Sequence, residues 1–235
     1  MKITRFKDYA SMSAAASAII ISDLNQKKNL RLGAATGGSP TGMYAALAEA
    51  YQKDASLFDH LQVTKLDEWG IIPMSHPDSC QSYLKQHLLG PLHVSADRYE
   101  EFDTNNADLL AECKRIQDSI DQNGPLDIVI LGLGKNGHIG FNEPAAELQV
   151  DCHKAILAES TIQHDPTLLQ GDEPAFGLTL GLKSILQAKK ILFLVTGSGK
   201  EEAIKQLMTK KISTFLPASF LWLHPHVECL INENA

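Results

Sequence analysis

The sequence has few cysteines, and they are not spaced for a structural metal site or a disulfide framework. The four, Cys80, Cys113, Cys152 and Cys229, lie far apart and form no C-x-x-C pair. Structural zinc sites and disulfide-stapled folds depend on closely or regularly spaced cysteines. Scattered, reduced thiols are typical of a cytoplasmic protein, and we predict that location.

Long hydrophobic runs are also missing. The first apolar run, at residues 19–21, is three isoleucines long, whereas a spanning helix needs about 20 apolar residues. Residues 1–8 are charged and lack the apolar region of a secretory signal peptide. We therefore expect no membrane partner.

An excess of basic residues is absent as well, because the formal net charge is −7. A nucleic-acid-binding protein usually presents a basic surface, so we expect no nucleic-acid partner. A local cluster of donors can still bind a small anion in an acidic protein. The composition, 44% hydrophobic and 21% charged over 235 residues, is that of a globular protein and suits one domain spanning 1–235.

Apolar runs of strand length alternate with helical patterns along the chain. The predicted strands cover residues 30–35, 61–66, 127–131, 190–195 and 227–231, and the predicted helices cover 8–27, 43–53, 79–88, 106–121 and 200–208. The central strands are continuously apolar, as expected for strands that are covered on both faces. This pattern predicts an α/β fold with a mostly parallel sheet and helices on both faces, a Rossmann-like three-layer sandwich.

Ligands bind beyond the carboxyl ends of the strands in such sheets. The segments that follow the predicted strands should therefore carry the chemistry, and four of them are unusual in composition. They are residues 36–42 (TGGSPTG), 67–69 (DEW), 132–144 (GLGKNGHIGFNEP) and 196–200 (TGSGK).

Two of these segments have features of a phosphate site. In the first, Gly37 and Gly38 permit a tight turn, and Ser39 is predicted to cap a helix whose free amides can bind an anion. In the last, Lys200 begins another helix and offers a second contact, although the segment is not a Walker A loop. An ordinary strand-to-helix turn and a solvated surface lysine are the alternatives.

Asp67 and Glu68 are adjacent carboxylates directly after a strand. They repel each other unless one is buried or hydrogen-bonded, and burial raises the pKa of a carboxyl group toward the range of a general base. A solvated pair of loop acids is the alternative.

The third segment contains G-x-G-x-x-G after a strand, which is also a dinucleotide-binding fingerprint. That hypothesis is disfavoured because the fingerprint must open a helix, and Gly140 and Pro144 interrupt the residues that follow. The segment also carries Asn136, His138 and Glu143. Histidine moves protons near neutral pH, and a nearby carboxylate can orient it, so both a catalytic and a structural histidine fit this pattern.

No metal site is predicted. His224 and His226 are two residues apart, but no third ligand lies at metal-site spacing, and H-E-x-x-H is absent.

Taken together, the four segments resemble the glucosamine/galactosamine-6-phosphate deaminase-isomerase family over nearly the whole chain. The resemblance rests on G-G-S-P-T-G, L-D-E-W and G-H-I-G-F-N-E-P. Residues 179–182 (TLGL), 195–200 (VTGSGK) and 217–224 (PASFLWLH) are more similar to the galactosamine branch than to the glucosamine branch. The related 6-phosphogluconolactonases typically carry D-E-R and an S-L-F-P-like stretch where this chain has D-E-W and F-N-E-P.

The resemblance implies a role for each candidate residue. Asp67 would move a proton between C1 and C2 of the sugar, and His138, supported by Glu143, would open the sugar ring. The residues implied to hold the phosphate are Gly37, Gly38, Ser39 and Lys200. No metal or organic cofactor is implied, the substrate is a small amino-sugar phosphate, and a homo-oligomer is possible.

The expected reaction converts galactosamine 6-phosphate to tagatose 6-phosphate and ammonia. Three alternatives stay open: a glucosamine-6-phosphate deaminase that yields fructose 6-phosphate, a 6-phosphogluconolactonase, and a non-catalytic sugar-phosphate sensor. Two departures from the family matter. Many relatives have Asp at the position of Asn136, so we expect Glu143 to orient His138 alone, and residues 160–170 lack the phosphate-binding arginine of the glucosamine enzymes.

Overall fold

Strands and helices alternate along residues 1–162 and 175–233, which the computed structural model describes. The strands are β1 (Lys2–Phe6), β2 (Arg31–Ala34), β3 (Gln62–Lys65), β4 (Asp67–Trp69), β5 (Tyr99–Glu100), β6 (Ile128–Gly132), β7 (His153–Ile156), β8 (Phe176–Thr179), β9 (Lys190–Val195) and β10 (Val227–Asn232). The α-helices are α1 (Tyr9–Gln26), α2 (Gly38–Lys53), α3 (Cys80–Leu84), α4 (Leu109–Asn123), α5 (Glu159–Ile162), α6 (Leu182–Leu186) and α7 (Glu201–Met208). Short 3-10 or π turns cover Ala55–Phe58, Lys85–Leu89, Ala96–Arg98 and Pro217–Leu223.

The main sheet has seven described strands in the order β1-β10-β9-β6-β2-β3-β5, and every pair in it is parallel. Its centre is apolar because Ile128–Leu131 in β6 and Ile191–Val195 in β9 are fully buried. Helices flank this sheet, so the predicted α/β fold is confirmed.

β1 was not predicted. It lies at the sheet edge, where Lys2 and Arg5 are exposed and its other residues are half-buried, so it lacks the continuous apolar run that marks the central strands. It pairs with β10, from Lys2 opposite Glu228 to Phe6 opposite Asn232.

A second, three-stranded sheet has the order β4-β8-β7 and is antiparallel. The segment Asp67–Trp69, predicted as a loop, is therefore a strand. Glu68 pairs with Leu178, which is far away in sequence, so no local pattern indicated the pairing. This small sheet begins where β3 ends and carries Asp67 to the edge of the main sheet.

The helix after β2 begins earlier than predicted. Gly37 is its N-cap, with φ +89°, and Ser39 lies inside the first turn. The prediction that Ser39 caps this helix is wrong: the N-cap residue has no side chain, and the cap makes no side-chain hydrogen bond. The first amides of α2 consequently stay available to a ligand.

The strand order explains why the four candidate segments meet. β9, β6, β2 and β3 are consecutive neighbours in the sheet, and one segment follows each of them. Because the strands are parallel, all four segments emerge at the same edge.

Within the described residues no helix combines the length and apolar character that a membrane span requires.

Candidate active site

A cleft of about 680 Å³ opens at the carboxyl ends of the four central strands. All four candidate segments contribute to its wall. The predicted site residues that line it are Gly37, Gly38, Ser39, Asp67, Asn136, His138 and Lys200. Glu143 is not among the lining residues, and it reaches the cleft through its contact with His138.

Asp67 is a buried carboxylate at the wall of the cleft, with 7% of its surface exposed. Burial, followed by the negative charge of Glu68, raises its pKa to about 7. The charges of His138 and Lys65 and a hydrogen bond from Cys80 partly oppose this rise. A carboxyl group with a pKa near 7 can both accept and return a proton at neutral pH, as a general base must.

Glu68 has a different environment from its neighbour. Its carboxylate accepts hydrogen bonds from the amides of Cys80, at 2.9 Å, and Gln81, at 2.8 Å, at the start of α3. The ammonium of Lys65, which is fully buried, lies 2.7 Å from Glu68 Oε2. Glu68 is thus a structural carboxylate that binds a helix N-terminus and a cation, and Asp67 is the acid that faces the cleft.

His138 and Glu143 are brought together, with Nδ1 3.4 Å from Oε2. The prediction that Glu143 orients His138 alone is wrong, because two further side chains hold this pair. Asn136 donates to Glu143 Oε2 at 2.7 Å, and its own Oδ1 accepts the amide of His138 at 3.1 Å. Thr161 donates to Glu143 Oε1 at 2.6 Å, and its oxygen lies 3.3 Å from His138 Nδ1.

The carboxylate of Glu143 stays ionised in this network. Burial alone would raise its pKa, but hydrogen bonds from His138, Thr161 and Asn136 outweigh burial and lower the pKa below its usual value. The single hydroxyl hydrogen of Thr161 is used for Glu143, so the Thr161 oxygen accepts from Nδ1 of His138. Nε2 is then the ring nitrogen left for proton transfer.

The glycine-rich loop packs against the imidazole. A Cβ on Gly134 would lie 2.5 Å from Cδ2, Cε1 and Nε2 of His138, so any side chain there would displace the imidazole. The amide of Gly134 also donates to the carbonyl of His138 at 3.0 Å, which closes the loop. A dinucleotide-binding loop opens a helix, whereas residues 133–152 contain turns and no helix.

The first loop is held rigidly around the start of α2. The carbonyl of Gly37 accepts from the hydroxyl groups of Tyr83, at 2.8 Å, and Thr41, at 3.0 Å. Tyr9 donates to the carbonyl of Gly38 at 2.6 Å. Apart from the adjacent backbone, no heavy atom of the described residues lies within 4 Å of a Cβ built on Gly37 or Gly38, so this part of the chain leaves space for a ligand beside the helix amides.

Lys200 enters the cleft at the N-cap of α7. Burial, and then the charge of Lys135, lowers its pKa to about 8. Lys135 also lines the cleft, although only its place in the glycine-rich segment could have identified it from the sequence.

Three other residues of the site escaped the sequence analysis: Cys80, Thr161 and Phe141. Cys80 and Thr161 contact the acid–base groups described above, and Phe141 lines the cleft against Trp69, with ring centroids 4.5 Å apart. In the segment 160–170, which lacks the family arginine, residues 163–170 lie outside the described residues.

His224 has a structural role. It is buried, its Nε2 lies 2.7 Å from the carbonyl of Ala188, and its Nδ1 accepts the amide of His226 at 3.0 Å. Within residues 1–162 and 175–233 no group of three His, Cys, Asp or Glu side chains could hold a metal ion, and the four cysteines are free and buried.

The carboxyl edge of the parallel sheet brings together a buried carboxylate, a His–Glu pair and two lysines. This combination defines an enzyme that performs acid–base chemistry on a small anionic substrate. Residues 7–230 match the family of glucosamine-6-phosphate isomerases and 6-phosphogluconolactonases, and the chain belongs to that family. The resemblance inferred from the four segments is confirmed, as is the prediction of an enzyme.

Individual relatives support an amino-sugar-phosphate deaminase/isomerase. AgaI of Escherichia coli (strain K12), provisionally named as a deaminase, is 39% identical and aligns with 98% of this chain and 91% of its own length. The glucosamine-6-phosphate deaminase of Clostridium acetobutylicum is 37% identical, covering 100% of this chain and 98% of its own. A solved monomeric glucosamine-6-phosphate deaminase of the NagB superfamily is 34% identical, with a TM-score of 0.93 over 100% of this chain and 98% of its own.

Proposed function

We propose that this protein isomerises and deaminates galactosamine 6-phosphate, giving tagatose 6-phosphate and ammonia. The observation that carries the proposal is that Asp67, with a pKa of about 7, lines the same cleft as His138, whose ring is held by Glu143. An isomerase needs one base for the carbon-bound proton and a separate acid/base group for ring opening.

His138 acts first, because a closed sugar ring has no carbonyl carbon to acidify the C2 proton. The imidazolium form of His138 gives its Nε2 proton to the ring oxygen, the neutral Nε2 then takes the proton of the C1 hydroxyl, and the ring opens to an aldehyde. Glu143 stabilises the charged imidazole during this exchange, and Asn136 and Thr161 hold Glu143 in position.

Asp67 then removes the proton from C2 and returns it to C1. A proton passes from the amino nitrogen to the C1 oxygen in the same step, so C1 becomes a CH2OH group and the amine on C2 becomes an imine. Water adds to the imine, ammonia leaves, and a ketose 6-phosphate remains, so one water is consumed for each ammonia released. The lining residues Gly37, Gly38, Ser39 and Lys200 hold the phosphate in this proposal.

The choice of the galactosamine epimer rests on segments 179–182 and 217–224, which resemble the galactosamine branch. Both segments support the glycine-rich loop. Thr179 Oγ1 accepts from the amide of Phe141 at 3.1 Å, and the amide of Ala218 donates to the carbonyl of Gly137 at 3.0 Å. They are therefore positioned to shape the sugar end of the cleft.

A glucosamine-6-phosphate deaminase is the second candidate, because two of the relatives described above carry that name. A lactonase is a further alternative, because the family description includes 6-phosphogluconolactonases. A cytoplasmic location and a homo-oligomer stay predictions.

Ammonia release from galactosamine 6-phosphate and glucosamine 6-phosphate, measured beside hydrolysis of 6-phosphogluconolactone, tests the proposal. The Asp67→Asn variant serves as the catalytic control. We expect the highest kcat/KM with galactosamine 6-phosphate. Equal or better turnover of glucosamine 6-phosphate would overturn the choice of epimer. Lactone hydrolysis without ammonia release would identify a lactonase, and binding of both amino sugars without turnover would overturn the proposal.

A further inference from the structure

Two lysines converge on the loop that follows β9. The side chain of Lys135 lies over Gly199, since a Cβ built there would be 3.1 Å from Lys135 Cε and 3.5 Å from its Nζ. Lys200 Nζ lies 4.0 Å from a Cβ built on Gly197, in the same loop. Both lysines line the cleft, although they come from different candidate segments.

Neither lysine forms an ion pair within the part of the chain that is described. In residues 1–162 and 175–233 no carboxylate oxygen lies within 4.0 Å of either ammonium group. Burial, and then the like charge of Lys135, lowers the pKa of Lys200 to about 8. Two cations in one cleft repel each other, and a bound anion with two negative charges removes that repulsion.

The same cleft offers neutral donors for an anion. The first turn of α2, which begins at Gly38, supplies amides that no side chain of the described residues caps. The amides alone accept a singly or doubly charged anion. Lys135 and Lys200 together favour the doubly charged one.

We propose that Lys135 is a second phosphate-binding residue, which forms with Lys200 a two-cation clamp selective for a phosphate dianion over a monoanion. The identity of the phosphorylated sugar rests on the proposed function. The clamp itself requires only that the cleft bind phosphate, so it can be tested by binding, without turnover.

The first experiment is calorimetric titration of the protein with inorganic phosphate at pH 7.5. We compare the unaltered protein with Lys135→Met, Lys200→Met and Lys205→Met. Lys205 is an exposed lysine of α7 that does not line the cleft. Lys205→Met therefore removes the same charge from the protein as the other two variants, but outside the cleft. We expect roughly tenfold weaker binding for each of the first two variants, the size of one lost charge-assisted hydrogen bond, and no change for Lys205→Met.

Charge selectivity is the second readout. A sugar 6-phosphate is mostly a dianion above its second pKa near ~6, whereas a sugar 6-sulfate is a monoanion. Lys135→Met should reduce the preference for glucosamine 6-phosphate over glucosamine 6-sulfate in competition binding, and Lys135→Arg should restore it.

The proposal fails if Lys135→Met binds phosphate and discriminates between the two esters as the unaltered protein does, while Lys200→Met loses phosphate binding. That result would leave the phosphate site and the proposed function intact. If the unaltered protein releases no ammonia from any amino sugar while the phosphate titrations behave as expected, the proposed function fails and the clamp stands. Thermal unfolding of each variant, with Lys135→Gln as a second neutral substitution, separates a binding loss from a folding defect.

Discussion

Cys80 Sγ lies 3.8 Å from Oδ1 of Asp67 and donates its hydrogen to that carboxylate. Thr36, from the loop after β2, donates to the same sulfur at 3.5 Å. A thiol is a weak hydrogen-bond donor, so it orients the carboxylate while lowering its pKa only slightly. This pairing allows burial to keep the pKa of Asp67 near neutrality.

The Cys80→Ala variant should move the acid limb of the kcat/KM profile to higher pH. The substitution removes a hydrogen bond that favours the charged form of Asp67, so the pKa of that carboxyl group rises further. We expect a shift below about one unit, because one unit corresponds to ~1.4 kcal/mol and a thiol donor supplies less. Cys113→Ala, which removes a buried thiol from α4, is the control and should leave the profile unchanged. A shift of the Cys80 variant to lower pH contradicts the assignment.

Asp67 and His138 should fail in different ways. Asp67→Asn removes the base for the C2 proton, so both isomerisation and deamination should stop. His138→Gln should slow turnover by about 10²–10⁴-fold, the usual contribution of a general acid/base, and should spare a substrate analogue locked in the open-chain form. Solvent-deuterium exchange at C2 of that analogue is the measurement. If the His138 variant does not exchange and the Asp67 variant does, the two roles are reversed.

Asp67→Asn should also change how stability depends on pH. The pKa of Asp67 is about 7 in the folded protein and near its ordinary value of 3.8 in the unfolded chain. The folded state therefore holds a proton that the unfolded chain releases, and this stabilisation is present below pH ~4 and is lost as pH rises through ~7. Asparagine does not ionise, so relative to the unaltered protein the variant should gain free energy of unfolding, by up to ~4 kcal/mol, between these limits. Denaturant unfolding at pH 4.5, 6 and 8 measures the gain, and a difference that is constant across this range would show that Asp67 is not shifted.

Much of the fold and part of the site are encoded in short stretches that sequence analysis can identify. β6 and β9 are continuously apolar, and the glycine-rich segments follow them directly, so their positions at the sheet edge could be predicted. The pairing of His138 with Glu143 was also predictable, because the two residues are five positions apart in one loop.

The rest depends on contacts between distant parts of the chain. Cys80 reaches Asp67 only because Glu68 binds the amides at the start of α3, and nothing in the sequence indicates that α3 lies there. Thr161 likewise joins Glu143 across 18 positions. The strand β4 forms because Asp67–Trp69 pairs with Gly177–Thr179, so a three-residue segment that looks like a loop is part of a sheet.

Gly134→Ala should reproduce the defect of His138→Gln. Gly134 does not have a positive φ, so alanine suits its backbone, and the atoms nearest to the added Cβ are three ring atoms of His138, at 2.5 Å. Relief of this contact requires the imidazole to move by about 1 Å, and a displacement of that size can cost ~10²-fold in rate. Ammonia release should therefore fall by about that factor, while deuterium exchange into the open-chain analogue and the thermal unfolding midpoint should change little. The double variant with His138→Gln should be no slower than His138→Gln alone, because both substitutions remove the same ring-opening step. Additive losses, or a loss of exchange in the Gly134 variant, would show that this glycine supports Asp67 or the whole loop instead.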